Sequence, residues 1–172
     1  NPVLQSQIYD RFWFPMEQVF GGLYRDRFDS FMRTFLTVRA GTIPREGEVY
    51  VTFKKYVMSG KAGDVPSGVH VMEAIAGDLF EQASHYSSIV LGAEKDPELR
   101  AAFADFTALR AEIAHPFLLE IYGDWKLGKL SHDELHQVVR LTESYVFRRA
   151  LCGIPTNSMN KTFATLLKKV DK

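Results

Sequence analysis

The chain has 172 residues, 46% hydrophobic, 13% aromatic and 24% charged, which is ordinary composition for about one globular domain and excludes intrinsic disorder. Twenty-one Lys plus Arg residues balance twenty-one Asp plus Glu residues, excluding a wholly basic nucleic-acid coat or a strongly acidic surface. A single cysteine, Cys152, excludes an internal disulfide framework and a cysteine-rich zinc site, and no run approaches the roughly eighteen apolar residues a membrane span needs.

Helical periodicity runs through the chain and period-two strands are absent. The expected class is therefore all-α: one compact bundle of about eight helices with a long central helix, residues 1–172 forming a single helical domain. The first twenty residues look helical, with Pro15 as an interruption and Gly21-Gly22 as a break. Phe28, Phe31, Met32, Phe35 and Leu36 then form an i, i+3, i+4 stripe, stopped by Gly41 and followed by Pro44. A shorter helix over 46–58 places Val49, Phe53, Tyr56 and Val57 on one face, and Lys61 to Gly68 reads as the clearest loop. From Ser67 to Leu91, positions 69, 72, 76, 79, 83, 86 and 90 hold Val, Met, Ala, Leu, Ala, Tyr and Val at unbroken 3-4 spacing. Two alanines in that stripe permit close helix approach, so this is the expected central helix.

Asp96-Pro97-Glu98 is a helix start, with Asp as cap and Pro at the first position; Leu99, Phe103 and Phe106 continue it. Another helix begins near Pro116 and presents Phe117, Leu118, Ile121, Tyr122 and Trp125. Ser131 and Glu134 make a capping box for a helix ending near Cys152-Gly153. Ile154 to Asn157 is a turn, and a last helix spans Met159 to Val170.

Charge is segregated along this plan. Residues 23–61 carry eight bases against four acids, 62–134 carry five against thirteen, and 135–172 carry seven against two. The middle is acidic and both flanking stretches are basic. Such runs are most simply solvated helix faces.

Three constellations invite a chemical reading. His132 and His136 stand four apart and could share a zinc ion, but Asp133 stands where a metalloprotease has its Glu, and Asp133 and Glu134 are explained by the helix start. Arg110 and His115 have the spacing of the catalytic motif of HEPN-type ribonucleases, which they resemble; there, an Arg and a His act on a phosphodiester by acid–base chemistry. Ala111 departs from the polar residue usual after that Arg, and Pro116 is expected to push His115 out of helical geometry. Arg149 falls close to the centre of the stripe formed by Leu135, Val138, Val139, Tyr145 and Val146. A guanidinium facing a core needs a carboxylate or several carbonyls, so Arg149 reads as a brace to an acidic neighbour or to the Asn157–Asn160 turn. Cys152 is expected to be a small buried residue at a helix end, and Asn160-Lys161-Thr162 matches a glycosylation acceptor. Trp13, Trp125 and the thirteen phenylalanines are expected mostly in the core. No Gly-rich phosphate loop is present, and no cofactor or metal is expected.

Two stretches carry a family resemblance. Ser144 to Phe163, with its Arg148-Arg149 pair, Cys152-Gly153 and Asn157 and Asn160, resembles a signature helix–turn–helix of GmrSD-type modification-dependent restriction endonucleases. Phe28 to Leu36, Ile43-Pro44 and Val49 to Tyr56 are similar to an earlier part of the same helical region. The resemblance implies a region between a ParB-like nucleotide-hydrolysing domain and a His-Asn-His nuclease domain. Neither the Asp-Gly-Gln-Gln-Arg motif of the former nor a nuclease histidine pattern occurs here, so no catalytic residue carries over. The expectation is a non-catalytic helical scaffold in the cytoplasm, a piece of a longer phage-defence protein; the alternatives are a HEPN-like ribonuclease using Arg110 and His115, or a free-standing helical protein-interaction module. The scaffold's partners would be the flanking domains and, weakly, DNA through 135–172; Arg148, Arg149, Asn157 and Asn160 match the signature as structural or contact residues, with no chemistry assigned to them.

Overall fold

The computed structural model describes residues 2–59, 69–155 and 157–170, all of the regular structure among them being helical. The Lys61–Gly68 loop and the Ser67 end of the long helix lie outside the described residues. The elements are α1 (Pro2–Ile8), α2 (Phe14–Phe20), α3 (Tyr24–Ala40), α4 (Val49–Met58), α5 (Val69–Val90), α6 (Pro97–Ala108), α7 (His115–Lys126), α8 (His132–Leu151) and α9 (Asn157–Val170). That is nine α-helices among the described residues, against about eight expected. They fall into two compact units, Asn1–Ser84 and His85–Lys172, the division lying inside α5.

In the first unit, the break near the N-terminus is a π-helical turn at Tyr9–Trp13 rather than Pro15. Pro15 sits in the first turn of α2, directly after that π-helical turn, in which the Phe14 amide reaches back five residues to the Tyr9 carbonyl. The α3 stripe buries Phe31, Met32, Phe35 and Leu36, and Gly41 ends the helix in the left-handed conformation at φ 67°. Ring contacts continue the packing from Phe20 through Phe31 and Phe35 to Tyr56 of α4. α4 begins at Val49 rather than 46, because the Glu48 amide donates to the Arg45 carbonyl at 3.0 Å and closes a turn there. Arg39 at the end of α3 grips both carboxylate oxygens of Asp78 on α5, at 2.8 and 2.6 Å.

The 3-4 stripe of α5 is buried at Ala76, Leu79, Ala83 and Tyr86, whereas Met72 is 49% exposed. Ile75, Gln82, His85, Ser87 and Ile89 are buried as well, so the helix is enclosed on more than one face.

In the second unit, Asp96 caps α6 by accepting from the Glu98 and Leu99 amides at 3.0 and 2.9 Å, and Pro97 follows at the first position. α6 buries Leu99, Phe103 and Phe106 and packs on α8. α7 buries Phe117, Leu118, Leu119, Ile121 and Tyr122 and packs on α8 and α9. Seven of the thirteen phenylalanines are buried and two, Phe14 and Phe147, are exposed. Among the described residues, no helix is long and apolar enough to cross a membrane.

Candidate functional site at the C-terminal helical hairpin

α8 is fixed at both ends by its own sequence. The Ser131 hydroxyl accepts from the Glu134 amide at 3.3 Å, and the Glu134 carboxylate accepts from the Ser131 amide at 2.8 Å. At the other end, the Ile154 amide reaches the Arg149 carbonyl at 3.0 Å and the Gly153 amide reaches Ala150 at 3.1 Å, with Gly153 at φ 62°. This six-to-one and five-to-two pairing is the Schellman ending, which requires a left-handed residue where glycine stands. It turns the chain sharply into α9.

Between these ends, Leu135, Val139, Thr142 and Val146 face inward. The opposite side is open and mixed: Leu141 is 70% exposed, Phe147 49% and Leu151 71% among the exposed Gln137, Arg140 and Arg148, with Ile154 at 44% just beyond. Leu141, Tyr145, Arg148, Arg149, Cys152 and Ile154 line a shallow surface cavity of about 360 Å³ on this side. Cys152 is exposed, not buried as expected, because as the last residue before Gly153 it follows the outward face of α8.

Arg149 is half-buried and held three ways. Its Nη2 donates to the Pro155 carbonyl at 2.9 Å and the Ser158 hydroxyl at 2.6 Å, Nη1 reaches the Tyr145 hydroxyl at 3.4 Å, and the guanidinium lies 5.5 Å from the Tyr145 ring centre. The partners are the Pro155 carbonyl of the following turn, the Ser158 hydroxyl at the start of α9 and the Tyr145 hydroxyl of α8 itself, rather than an acidic neighbour. Its Nε is enclosed without an acceptor among the described residues. Arg148 and Asn160 are exposed; the side chain of Asn157 lies outside the described residues. The structure thus brings Arg148 and Arg149 to one surface cavity and leaves Asn160 on the outside of α9.

Arg110 and His115 separate by environment. Arg110 is exposed, whereas His115 is 4% exposed and packed against the rings of Tyr86 at 6.0 Å and Phe106 at 6.3 Å. His115 is helical, at φ −56° and ψ −40°, despite Pro116. The modest preference of a pre-proline residue for extended backbone yields here to burial of the imidazole among aromatic rings. Arg110 stands just past the end of α6 at φ 53°, the one non-glycine residue with positive φ among those described. Its amide closes the helix on the Thr107 carbonyl at 3.0 Å, the place where glycine is favoured.

A second polar cluster had no signal in the sequence. Glu94, in the short link between α5 and α6, is 6% exposed. It accepts from the Tyr122 hydroxyl at 2.5 Å and from the Lys95 and Asp96 amides at 2.7 and 3.0 Å. Burial works against its charge, but the Tyr122 hydroxyl and the two amides hold the carboxyl below its ordinary range. Burial first, and then the bond to Glu94, push the Tyr122 phenol far up. The ammonium of Lys126 lies 4.2 Å from the Trp125 ring centre and 5.2 Å from that of Tyr122. Periodicity could not reveal this cluster, because its carboxylate sits on a link that reads as solvated.

His132 places Nε2 3.2 Å from Asp96 and Nδ1 3.3 Å from Asp133, and these carboxylates raise its pKa from the ordinary 6.5. Among the described residues, no three His, Cys, Asp or Glu side chains gather as a metal set. A group raised in this way stabilises the fold fully below the unfolded value near 6.5, and the contribution is lost as pH rises through the folded value. The stability difference between the natural chain and His132→Gln is expected to shrink from about pH 6 to about pH 9 in denaturant titrations. A difference independent of pH would contradict the ion pair.

Comparison with protein-family models, curated proteins and solved structures finds no match for this chain.

Proposed function

We propose that this chain is a non-catalytic helical scaffold region of a GmrSD-type restriction protein acting in the cytoplasm. It positions the nucleotide-hydrolysing and nuclease domains that flank it and makes only weak contact with DNA. The observation that carries this reading is the set of large apolar side chains exposed on the outward side of α8, Leu141, Phe147 and Leu151, among polar residues that include Arg148. Several large apolar side chains exposed on the solvent side of one helix suit burial against another protein surface. The resemblance of Ser144–Phe163 to the family signature supports the same reading, since Arg148 of that signature is exposed on this side of α8.

The reading is tested by titrating the flanking domains against the natural chain and a Leu141→Glu/Leu151→Glu variant. Both leucines are exposed, so the variant should keep its fold while association weakens roughly tenfold or more. Equal association would contradict the scaffold assignment. Duplex DNA should bind weakly and release steeply with added salt, because only the local charge of 135–172 favours it. Tight, salt-resistant binding would also count against the proposal.

A further inference from the structure

We propose that a pocket between Arg110 and Arg149 binds a phosphate monoester carrying an apolar body. This site stands independently of the family reading. It lies where the link after α6, Ile154 of the hairpin turn and Met159 of α9 meet α8, and is a half-open cavity of about 330 Å³, within the range of small-ligand sites. Leu109, Ile113, Val146, Ile154 and Met159 supply apolar wall, and Arg110 and Arg149 supply charge. Glu112 is the one carboxylate lining the pocket, and it is exposed.

Neither guanidinium has a carboxylate partner among the described residues. Arg149 is nonetheless fixed in place, its Nη2 tied to Pro155 and Ser158 and its Nε enclosed without an acceptor. An immobilised, half-buried cation without a counter-ion favours an anion beside it. Arg110 complements it: its guanidinium is engaged by no group among the described residues, and its backbone holds the left-handed conformation that glycine would adopt at less cost. Arginine at that position is therefore poor for the helix ending but places a second cation on the pocket. Two cations suit a phosphate monoester, which carries roughly two negative charges near neutral pH, better than a monoanion. The apolar wall suits an attached ring or chain.

The left-handed backbone makes Arg110→Gly an informative variant. It removes the guanidinium while improving the helix ending, so its melting temperature should equal or exceed that of the natural chain. The experiment follows methyl resonances of Ile113, Val146 and Met159 during titration with phenyl phosphate, benzoate, phenol and inorganic phosphate. Phenyl phosphate is expected to shift them and to bind more tightly than the other three; Arg110→Gly should weaken it about tenfold or more. A single strand with and without a 5′-phosphate then separates the two sources of this chemistry. Tighter, Arg110-dependent binding of the phosphorylated strand identifies a nucleic-acid end, and binding no tighter than phenyl phosphate identifies a free small molecule; either upholds the site. The proposal is overturned if phenyl phosphate produces no shift at about 10 mM, or if the natural chain and Arg110→Gly bind it equally.

Discussion

Glu94→Ala is expected to lower the stability of the His85–Lys172 unit by about 3 kcal/mol at neutral pH. The carboxylate is buried and fully used: one oxygen takes the Tyr122 hydroxyl at 2.5 Å and the other takes two backbone amides. Ser88 is the other side-chain partner of that hydroxyl and lowers its pKa, as a donor to the phenolic oxygen does. Alanine would thus leave a buried phenolic donor unsatisfied and expose two amides, each a cost of about 1–3 kcal/mol before relaxation. In a chain of this size that corresponds to a fall of roughly 6–12 °C in melting temperature.

The pH dependence follows from the lowered pKa. Glu94 contributes its stability above the unfolded value near 4.5, and the contribution disappears as pH falls through the lower folded value. The natural chain and Glu94→Ala should therefore differ strongly at about pH 7 and converge in strong acid. Trp125, whose ring centre is 5.2 Å from that of Tyr122, provides a local fluorescence probe for the denaturant titrations. A loss under about 1 kcal/mol at pH 7 would show that Glu94 is dispensable to this packing.

His115→Ala should cost about 2–4 kcal/mol, for a different reason. The imidazole fills space between Tyr86 and Phe106, meeting the Tyr86 ring edge-on at 88°, and its removal opens a cavity that the surrounding helices close only in part. At 4% exposure the ring has no open path to a substrate hydroxyl, and the exposed Arg110 lines a pocket that His115 does not reach. Stability, not RNA cleavage, is the property His115 is expected to control. Denaturant melts of His115→Ala measure the first part. Incubation of labelled RNA with the natural chain and with His115→Asn, below the melting temperature of both, measures the second. Cleavage by the natural chain that vanishes in a folded His115→Asn would contradict this account and favour the ribonuclease reading.

The helices were legible where local chemistry decides them. Asp96-Pro97, Ser131 with Glu134, Gly41 and Gly153 each act through one or two hydrogen bonds within a few residues, and each marks a helix end as expected. The α3 stripe was legible because alternation of burial along it is simple. Periodicity failed where a helix is enclosed on several sides: the single stripe read for α5 omits Gln82, His85 and Ser87, polar residues that are buried nonetheless. Periodicity held at α8, where the stripe leaves out the exposed Leu141 and Leu151 that residue type alone would bury. Cys152 was misplaced for a related reason, since cysteine is usually buried and this one follows the outer face. The position of Arg149 near the apolar stripe was readable at one hundred degrees per residue; its partners across the turn were not, because they depend on the angle at which α9 leaves Gly153. Arg110 held a readable hint, a non-glycine residue at a helix ending, which becomes informative only once φ is known.

The central claim, that this is the positioning region of a longer restriction protein, is tested most directly by sequencing the reading frame on both sides of the chain. The account predicts a continuous frame with a ParB-like Asp-Gly-Gln-Gln-Arg motif upstream of Asn1 and a His-Asn-His nuclease motif downstream of Lys172. A start codon immediately before Asn1 together with a stop codon immediately after Lys172 would contradict it.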